Sequence, residues 1–243
     1  MTQSSDAISL LHYVRANSRY SRRTVLSAII DGRVTVNQRV IMDAHTLVYP
    51  TDTVAINREP IRLAGQSYYK FHKPVGVIST LNDPKGRSDL SAYLTKHRLQ
   101  GANVKPMGRL DRTSSGLLLF SNDGDVIQRV LHPKFSILKE YQIVLNKPLR
   151  EDHKTKLVAG FFLSDGPVRL TITGSDDNAY HWSVSIGMGR NRILRRMFDY
   201  FGYDIVQLHR TRIGSIELGS LRAGQFLSIP SHDIKRLVEA SRN

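Results

Sequence analysis

Cysteine is absent from this 243-residue sequence, and so are long apolar runs. Without cysteine the chain cannot form disulfide bonds or cysteine-ligated zinc sites. No stretch approaches the roughly 18 consecutive apolar residues that a membrane-spanning helix needs. The small polar residues at 1–6 do not have the pattern of a secretory or transit signal. The nine histidines are scattered without metal-ligand spacing. We therefore expect a cytoplasmic protein with no metal and no membrane partner.

Acidic residues are also scarce. The chain has 21 Asp and Glu against 35 Lys and Arg, which gives a formal net charge of +14. Such an excess indicates a polyanionic partner, either nucleic acid or an anionic membrane surface. Because no basic amphipathic helix is evident, nucleic acid is the favoured partner. With 40% hydrophobic residues the chain can also bury a core, so it is not disordered as a whole.

The first 60 residues have the pattern of a small module with two helices and short strands. Apolar residues at helical spacing predict the first helix, and they are Ile8, Leu10, Leu11 and Val14. Ser21 is a good N-cap for a second helix that ends at Gly32. Short strands are predicted at residues 34–36, 40–41 and 54–56. Asn37 and Gln38 predict a tight turn between the first two of these strands.

Two arginines stand in the first turn of the second predicted helix. Arg22 and Arg23 oppose the helix dipole there, which costs roughly 0.3–1 kcal/mol for each charge. The same arrangement is a good anion site, because two guanidiniums lie beside the free amide groups of a helix N-terminus. Two interpretations are open: the arginines contact RNA phosphates, or they are solvated surface residues.

A single carboxylate lies in a basic loop that is bounded by two glycines. Asp111 lies between Gly108 and Gly116, with Arg109 two positions before it and Arg112 directly after it. The loop leads into an apolar strand, and a rigid element next to a loop fixes the position of its side chains. Asp111 is therefore a candidate catalytic carboxylate. The alternative is a turn aspartate that caps its own backbone.

From about residue 67 the chain alternates strand-like and helical segments without a repeat. Strands are predicted at residues 68–72, 141–145, 168–172 and 181–186. Helices are predicted after Asp123-Gly124 and over residues 192–201. The segment 57–66 contains Pro60 and Gly65 and is predicted to be a linker. Strands and helices in mixed order, without a strict βαβ rhythm, favour an α+β domain on a mixed, mostly antiparallel sheet.

Four segments resemble, in order, the motifs of RNA pseudouridine synthases of the small-subunit/large-subunit rRNA group. They are Lys73-Pro74-Val75-Gly76, the Asp111 loop, Lys139-Glu140-Tyr141, and Gly189-Arg190-Asn191-Arg192-Ile193-Leu194-Arg195-Arg196-Met197. The segment 21–37 similarly resembles the RNA-binding S4 module of ribosomal protein S4. Together these resemblances cover nearly the whole chain.

The resemblance implies a small S4-like RNA-binding domain at residues 1–60 and a pseudouridine synthase catalytic domain at residues 67–243. It implies an enzyme that converts specific uridines of ribosomal RNA to pseudouridine, with large-subunit RNA favoured. The reaction cleaves the N-glycosidic bond and rejoins the base through C5, without redox chemistry, so no cofactor is expected. We expect a monomer. The alternative is a non-catalytic ribosome assembly factor that binds rRNA with the same fold.

The resemblance also implies roles for three residues in catalysis. Asp111 is the essential carboxylate, which attacks C1′, adds to C6 or abstracts a sugar proton. Tyr141 offers a flat face to the uracil, although a strand tyrosine packed in the core is the alternative. Arg195 forms an ion pair with Asp111, because a nearby guanidinium favours the ionised form of a carboxylate.

Further basic residues are expected at the RNA. Arg192 and Arg196 face RNA or solvent, and Arg109 fills the position that the flipped base vacates or holds its phosphate. Lys73 either contacts a phosphate or belongs to a structural turn.

Three positions depart from the family pattern. Ile193 replaces a glutamine, Met188 replaces an acid, and Ser114 replaces a threonine. The loss of the glutamine removes an amide that could order the loop or contact RNA.

Overall fold

The structure is a computed structural model that describes residues 7–18, 20–61, 65–175 and 179–240. Residues 1–6, where we expected no targeting signal, lie outside the described residues. So do residue 19 of the predicted first module and residues 62–64 of the predicted linker. The chain divides into two compact units. The first comprises Met1–Gln66, Gln100–Asn103 and Asn122–Gly124, and the second comprises Ser67–Leu99, Val104–Ser121 and Asp125–Asn243.

The first unit contains two helices and two small antiparallel sheets. Its elements are β1 (Ile8–Ser9), α1 (Leu10–Asn17), α2 (Arg22–Ile30), β2 (Val34–Val36), β3 (Arg39–Val40), β4 (Leu47–Val48), β5 (Val54–Ile56) and β6 (Glu59–Pro60). Strand β1 pairs with β4, and the other four strands form a sheet in the order β3-β2-β5-β6. Apolar side chains of both helices and of β2, β4 and β5 form its core.

Local sequence signals set the boundaries of these elements. The Ser21 side chain accepts a hydrogen bond from the Thr24 amide at 3.1 Å, so the predicted start of α2 is confirmed. Asn37 and Gln38 both have positive φ, 49° and 67°, and form the predicted two-residue turn. Such φ values are typical of the turns whose twist matches a β-hairpin. Ile8, which we predicted to be helical, lies instead in β1 and pairs with Val48.

The second unit is built on a nine-stranded sheet. The elements are β7 (Tyr68–Lys73), α3 (Leu90–Lys96), β8 (Lys105–Met107), β9 (Ser115–Ser121), α4 (Gly124–Leu131), β10 (Lys139–Leu145), α5 (Glu151–Ala159), β11 (Phe161–Leu163), β12 (Gly166–Val168), β13 (Thr171–Ser175), β14 (His181–Ile186), α6 (Ile193–Asp199), β15 (Ile205–Ile213), β16 (Ile216–Glu217), β17 (Phe226–Ser228) and α7 (Ser231–Glu239).

The order of the main sheet is β13-β14-β10-β15-β9-β7-β17, with β16 beside β15 and β8 beside β9. The pairing of β9 with β15 is parallel, and the other strand pairings among the described residues of this sheet are antiparallel. The predicted α+β class with a mixed, mostly antiparallel sheet is therefore confirmed. Two clusters of buried apolar side chains pack in this unit. No helix among the described residues is long and apolar enough to cross a membrane.

One predicted strand is in fact two. Residues 168–172 were predicted as a single strand, but β12 ends at Val168 and β13 begins at Thr171. Strand β12 folds back on β11 as a hairpin, whereas β13 pairs with β14 in the main sheet. A pattern of alternating side chains cannot show that two halves of a segment pair with different partners.

Gly116 allows β9 to approach β15 closely. It pairs with Arg210 on one side and with Lys73 of β7 on the other. Its φ is +105°, and a Cβ atom there would overlap the Arg210 backbone, lying 2.6 Å from the Arg210 nitrogen. Only glycine fits this position without moving a strand.

We therefore expect Gly116→Ala to destabilise the protein more than Gly76→Ala does. Gly76 has a similar φ of +91°, but no atom lies within 4 Å of the position its Cβ would take. The control should lose only the roughly 1–3 kcal/mol of backbone strain, whereas Gly116→Ala adds the backbone clash. Thermal unfolding followed by circular dichroism measures both losses, and equal losses would show that the close approach is unimportant.

Candidate active site

A cavity of about 160 Å³ in the second unit brings together three of the four catalytic-domain motifs. The Asp111 loop, β10, β15 and the segment around the start of α6 form its walls. The lining residues with polar side chains are Arg109, Asp111, Ser114, Lys139, Tyr141, Arg190, Arg192, Arg195 and Arg210. Asp111 is the only carboxylate among these lining residues, so the cavity has a strong excess of positive charge.

The Ser79 side chain, which sequence analysis did not identify, fixes the backbone of the Asp111 loop. The Ser79 hydroxyl donates to the Leu110 carbonyl at 2.7 Å and accepts from the Leu110 amide at 3.0 Å. Both residues are buried. The Ser114 amide donates to the Asp111 carbonyl at 3.0 Å and closes a turn. The backbone on each side of Asp111 is therefore fixed, while its side chain lines the cavity with 34% of its surface exposed.

The predicted ion pair of Asp111 with Arg195 is wrong in this structure, since Arg192 is the partner. Arg192 Nη1 lies 3.5 Å from Asp111 Oδ2. The helix begins only at Ile193, and Arg192 before it has φ 46° and ψ 34°. The prediction of Arg195 as the partner came from the family resemblance, and the predicted helix over residues 192–201 did not foresee the left-handed conformation of Arg192.

Arg195 instead connects α6 to its neighbours. Its Nη1 donates to the Ile205 carbonyl at 2.6 Å, and its Nη2 donates to Thr113 Oγ1 at 3.3 Å. Burial and the charge of Arg192 lower the pKa of Arg195, while the charge of Asp111 raises it. Arg195 thus lies at the site within electrostatic reach of Asp111, and its catalytic role stays a prediction.

Arg196 does not face RNA or open solvent as we expected. Its guanidinium forms two hydrogen bonds with Asp165, at 2.7 and 2.8 Å. Arg190 Nη1 lies 3.2 Å from the same carboxylate. These hydrogen bonds, with that of Arg196 foremost, hold the pKa of Asp165 at about 2. Asp165 lies between β11 and β12, so this cluster ties that hairpin to the loop before α6.

Lys73 is structural rather than an RNA contact. It is fully buried, with 0% of its surface exposed. Its ammonium group donates to the carbonyls of Pro74 at 2.9 Å and Val77 at 2.8 Å. Burial lowers the pKa of Lys73 to about 8, opposed by the charge of Asp111 and assisted by that of Arg210. The predicted phosphate contact is therefore corrected in favour of the structural turn.

Lys139 is a second cation with a similar environment. Its ammonium group donates to the Ile137 carbonyl at 2.8 Å, and the residue lines the cavity. Burial, with a further contribution from the charge of Arg210, lowers its pKa to about 8. Lys73 and Lys139 thus both respond to the same buried guanidinium.

Tyr141 lies at the edge of the core, and its contact with the uracil stays a prediction. It packs against the apolar core and also lines the cavity. Its hydroxyl accepts a hydrogen bond from Arg210 Nη1 at 3.4 Å. The guanidinium carbon of Arg210 lies 5.9 Å from the centre of the Tyr141 ring. Arg109 is exposed and also lines the cavity.

Arg210 is the main site residue that sequence analysis missed. It is 5% exposed, and it is the charged residue among the buried residues of β15. A strand prediction over residues 205–213 would have placed this arginine on the inward side with Leu208. We made no strand prediction for that segment.

Buried polar atoms without partners are concentrated at this cavity. Among the described residues, four buried side-chain polar atoms have no hydrogen-bond partner: Arg15 Nε, Ser114 Oγ, Arg195 Nε and Arg210 Nη2. The last three belong to residues that line the cavity. Buried polar groups are normally hydrogen-bonded, so this concentration is typical of a site that binds a polar ligand. No group of three or more possible metal ligands occurs in the described part of the chain.

Comparisons with known proteins match this unit and most of the chain. Residues 67–200 match the family model described as RNA pseudouridylate synthase. The chain is 31% identical over 222 residues to ribosomal large subunit pseudouridine synthase B of Bacillus subtilis. The aligned segment covers 89% of this chain and 90% of that protein. It is 32% identical over 217 residues to the protein of the same name from Vibrio cholerae. The aligned segment covers 86% of this chain and 67% of that protein.

A solved structure is also similar. The crystal structure of a pseudouridylate synthase aligns with a TM-score of 0.67 at 25% identity, covering 95% of this chain and 99% of that one. The segment matched by the family model contains Asp111, Tyr141 and Arg195 and ends before Arg210.

The two arginines near Asp111 should differ in their effect on stability. We expect Arg195→Gln to lower the free energy of unfolding by about 1.5–3 kcal/mol, the usual contribution of a hydrogen bond to a charged group. Arg192→Gln should lower it by less than about 1 kcal/mol, because its ion pair is half-exposed. Chemical denaturation of both variants measures the difference. A larger loss for Arg192→Gln would contradict the contacts described for the two side chains.

Proposed function

The chain belongs to the RNA pseudouridylate synthase family, and we propose that it isomerises specific uridines of ribosomal RNA with Asp111 as the essential carboxylate. The observation that carries this proposal is the cavity, where one carboxylate lies among cations, beside an aromatic ring and three unpartnered polar atoms. We propose large-subunit RNA as the substrate. This choice is supported by the names of the two bacterial relatives, which specify the large ribosomal subunit.

The proposed chemistry needs a carboxylate close to the ribose or the base. The reaction breaks the bond between N1 of uracil and C1′ of ribose, turns the base and joins C5 to C1′. Carboxylates assist glycosidic bond cleavage by stabilising or attacking the sugar carbon. Asp111 is the only lining carboxylate, so it is the group we place at C1′ or at C6 of the base.

The target nucleotide must leave its helix to reach Asp111. A cavity of about 160 Å³ admits a base but not a duplex, so the uridine is flipped out of its stack. We propose that Tyr141 takes the face of the flipped uracil. Arg192 pairs with Asp111, Arg195 holds the loop at Thr113, and the exposed Arg109 contacts the RNA backbone or the vacated position.

The first unit is proposed to capture the RNA. Arg22 and Arg23 are exposed in the first turn of α2. Helix N-termini bind phosphate groups, and the net charge of +14 suits an RNA partner. We therefore propose that residues 1–60 act as an S4-like RNA-binding domain, and residues 67–243 as the catalytic domain.

The proposal is tested by release of tritium from ribosomal RNA transcripts labelled at C5 of uridine. Forming the C1′–C5 bond displaces the C5 hydrogen, so release reports the isomerisation itself. We expect release by the unaltered protein and none by Asp111→Asn. Asp233→Asn, in the first turn of α7 where the carboxylate side chain is 32% exposed, should release label at the unaltered rate.

The other outcomes of this assay are equally informative. Equal release by the protein and Asp111→Asn would remove Asp111 from the mechanism. Binding of RNA without release by either would support the assembly-factor alternative. Replacing Arg22 and Arg23 together with glutamine should raise the RNA concentration that gives half-maximal release, without changing release at saturation. Loss of release at saturation would contradict the division of labour between the two units.

A further inference from the structure

We propose that Arg210 donates a hydrogen bond from Nη2 to a carbonyl oxygen of the target uracil and stabilises the negative charge that the base acquires during the reaction. This inference rests on the proposed function, because it assigns a residue to that same site. It adds to the site a group outside the segment that the family model matches.

Two of the three nitrogens of the Arg210 guanidinium are already held. Nε donates to the Leu117 carbonyl at 2.7 Å, and Nη1 donates to the Tyr141 hydroxyl at 3.4 Å. The third, Nη2, is buried and has no partner among the described residues. The guanidinium is thus fixed in orientation with one donor free, and Arg210 is one of the residues that line the cavity.

The charge of Arg210 is also uncompensated. None of the ion pairs formed among the described residues includes Arg210. The residue is only 5% exposed, so water does not solvate it well. Burying an unpaired charge is unfavourable, and its neighbours Lys73 and Lys139 are cations whose pKa it lowers. A ligand that develops negative charge would complete this arrangement.

The uracil is a better partner for Nη2 than a phosphate. The guanidinium carbon of Arg210 lies 5.9 Å from the centre of the Tyr141 ring, the ring against which we propose that the base packs. A backbone phosphate is strongly hydrated and joined to nucleotides on both sides, so it belongs at an open surface. Arg109 and Arg192 are exposed and better placed for it.

The chemistry requires charge stabilisation on the base whichever route Asp111 takes. When the N1–C1′ bond breaks, its electron pair stays on the uracil, which becomes an anion with charge on its carbonyl oxygens. After C5 bonds to C1′, C5 loses its proton and N1 gains one. If Asp111 adds to C6 instead, the electrons move towards a carbonyl oxygen. A fixed donor aimed at that oxygen accelerates either route.

The first test compares single-turnover rates at which uridine or 5-fluorouridine is lost from the target position, by chromatography of the digested nucleosides. In 5-fluorouridine C5 has no proton to lose, so after C5 bonds to C1′ it keeps its fluorine and water adds its proton to N1 and its hydroxyl to C6. Loss of the starting nucleoside therefore reports glycosidic cleavage and rejoining for both substrates. Arg210→Gln should slow the uridine reaction by about 10²–10³-fold, as loss of one preorganised donor does. The loss should be much smaller with 5-fluorouridine, because fluorine already stabilises the base anion. A purely structural role would slow both reactions by the same factor, and that result would overturn the proposal.

Arg212→Gln is the matched control. Arg212 is two residues further along β15, is 40% exposed and is paired with Glu140 and Glu217. It should react at the unaltered rate with both substrates. An equal loss for Arg212→Gln and Arg210→Gln would mean that general loss of positive charge, not the Nη2 donor, is responsible, which would also overturn the proposal.

The decisive comparison of a second measurement uses only the unaltered protein, so it does not depend on the folding of a variant. The unaltered protein is given RNA with 2-thiouridine or 4-thiouridine at the target, since sulfur accepts hydrogen bonds poorly. One of the two substitutions should slow the reaction, and Arg210→Lys should abolish that difference. Equal rates for uridine and both thio substrates in the unaltered protein would overturn the proposal. If the proposed function itself were wrong, the result would be different, because the unaltered protein would then convert no uridine at all.

Discussion

The close approach of β9 to β15 at Gly116 is the contact on which the site depends. It is the parallel pairing in an otherwise antiparallel sheet, and it joins the strand after Asp111 to the strand that carries Arg210. Strand β10 with Tyr141 pairs with the other edge of β15. One backbone contact therefore fixes the carboxylate, the aromatic ring and the buried guanidinium relative to one another. A side chain at position 116 would separate them.

The second constraint is the surplus of buried positive charge. Lys73 and Lys139 are each held by backbone carbonyls with pKa values near 8, and Arg210 lies between the strands that carry them. Asp111 is one anion among several cations. An arrangement of this kind is unfavourable for stability but suits a reaction in which the ligand gains negative charge. The unpartnered polar atoms of Ser114, Arg195 and Arg210 are likewise unfavourable for stability and suited to binding such a ligand.

Sequence patterns predicted the elements with local signals and missed relations between distant ones. Ser21 as a cap, the Asn37-Gln38 turn and the α+β class follow from local chemistry and strand–helix order. The partner of Asp111 did not follow, because the family resemblance indicated Arg195 and no local pattern predicted the left-handed conformation of Arg192. The burial of Lys73 and the position of Arg210 depend on strand pairing between segments more than 40 residues apart. No local pattern contains that information.

The most direct test of the central claim is a map of pseudouridines in both ribosomal RNAs of cells whose protein carries Asp111→Asn, compared with unaltered cells. The account predicts that one or a few pseudouridines disappear from the large-subunit RNA while all others remain. Identical maps in the two strains would contradict it. A loss confined to small-subunit RNA would retain the enzyme and correct its substrate.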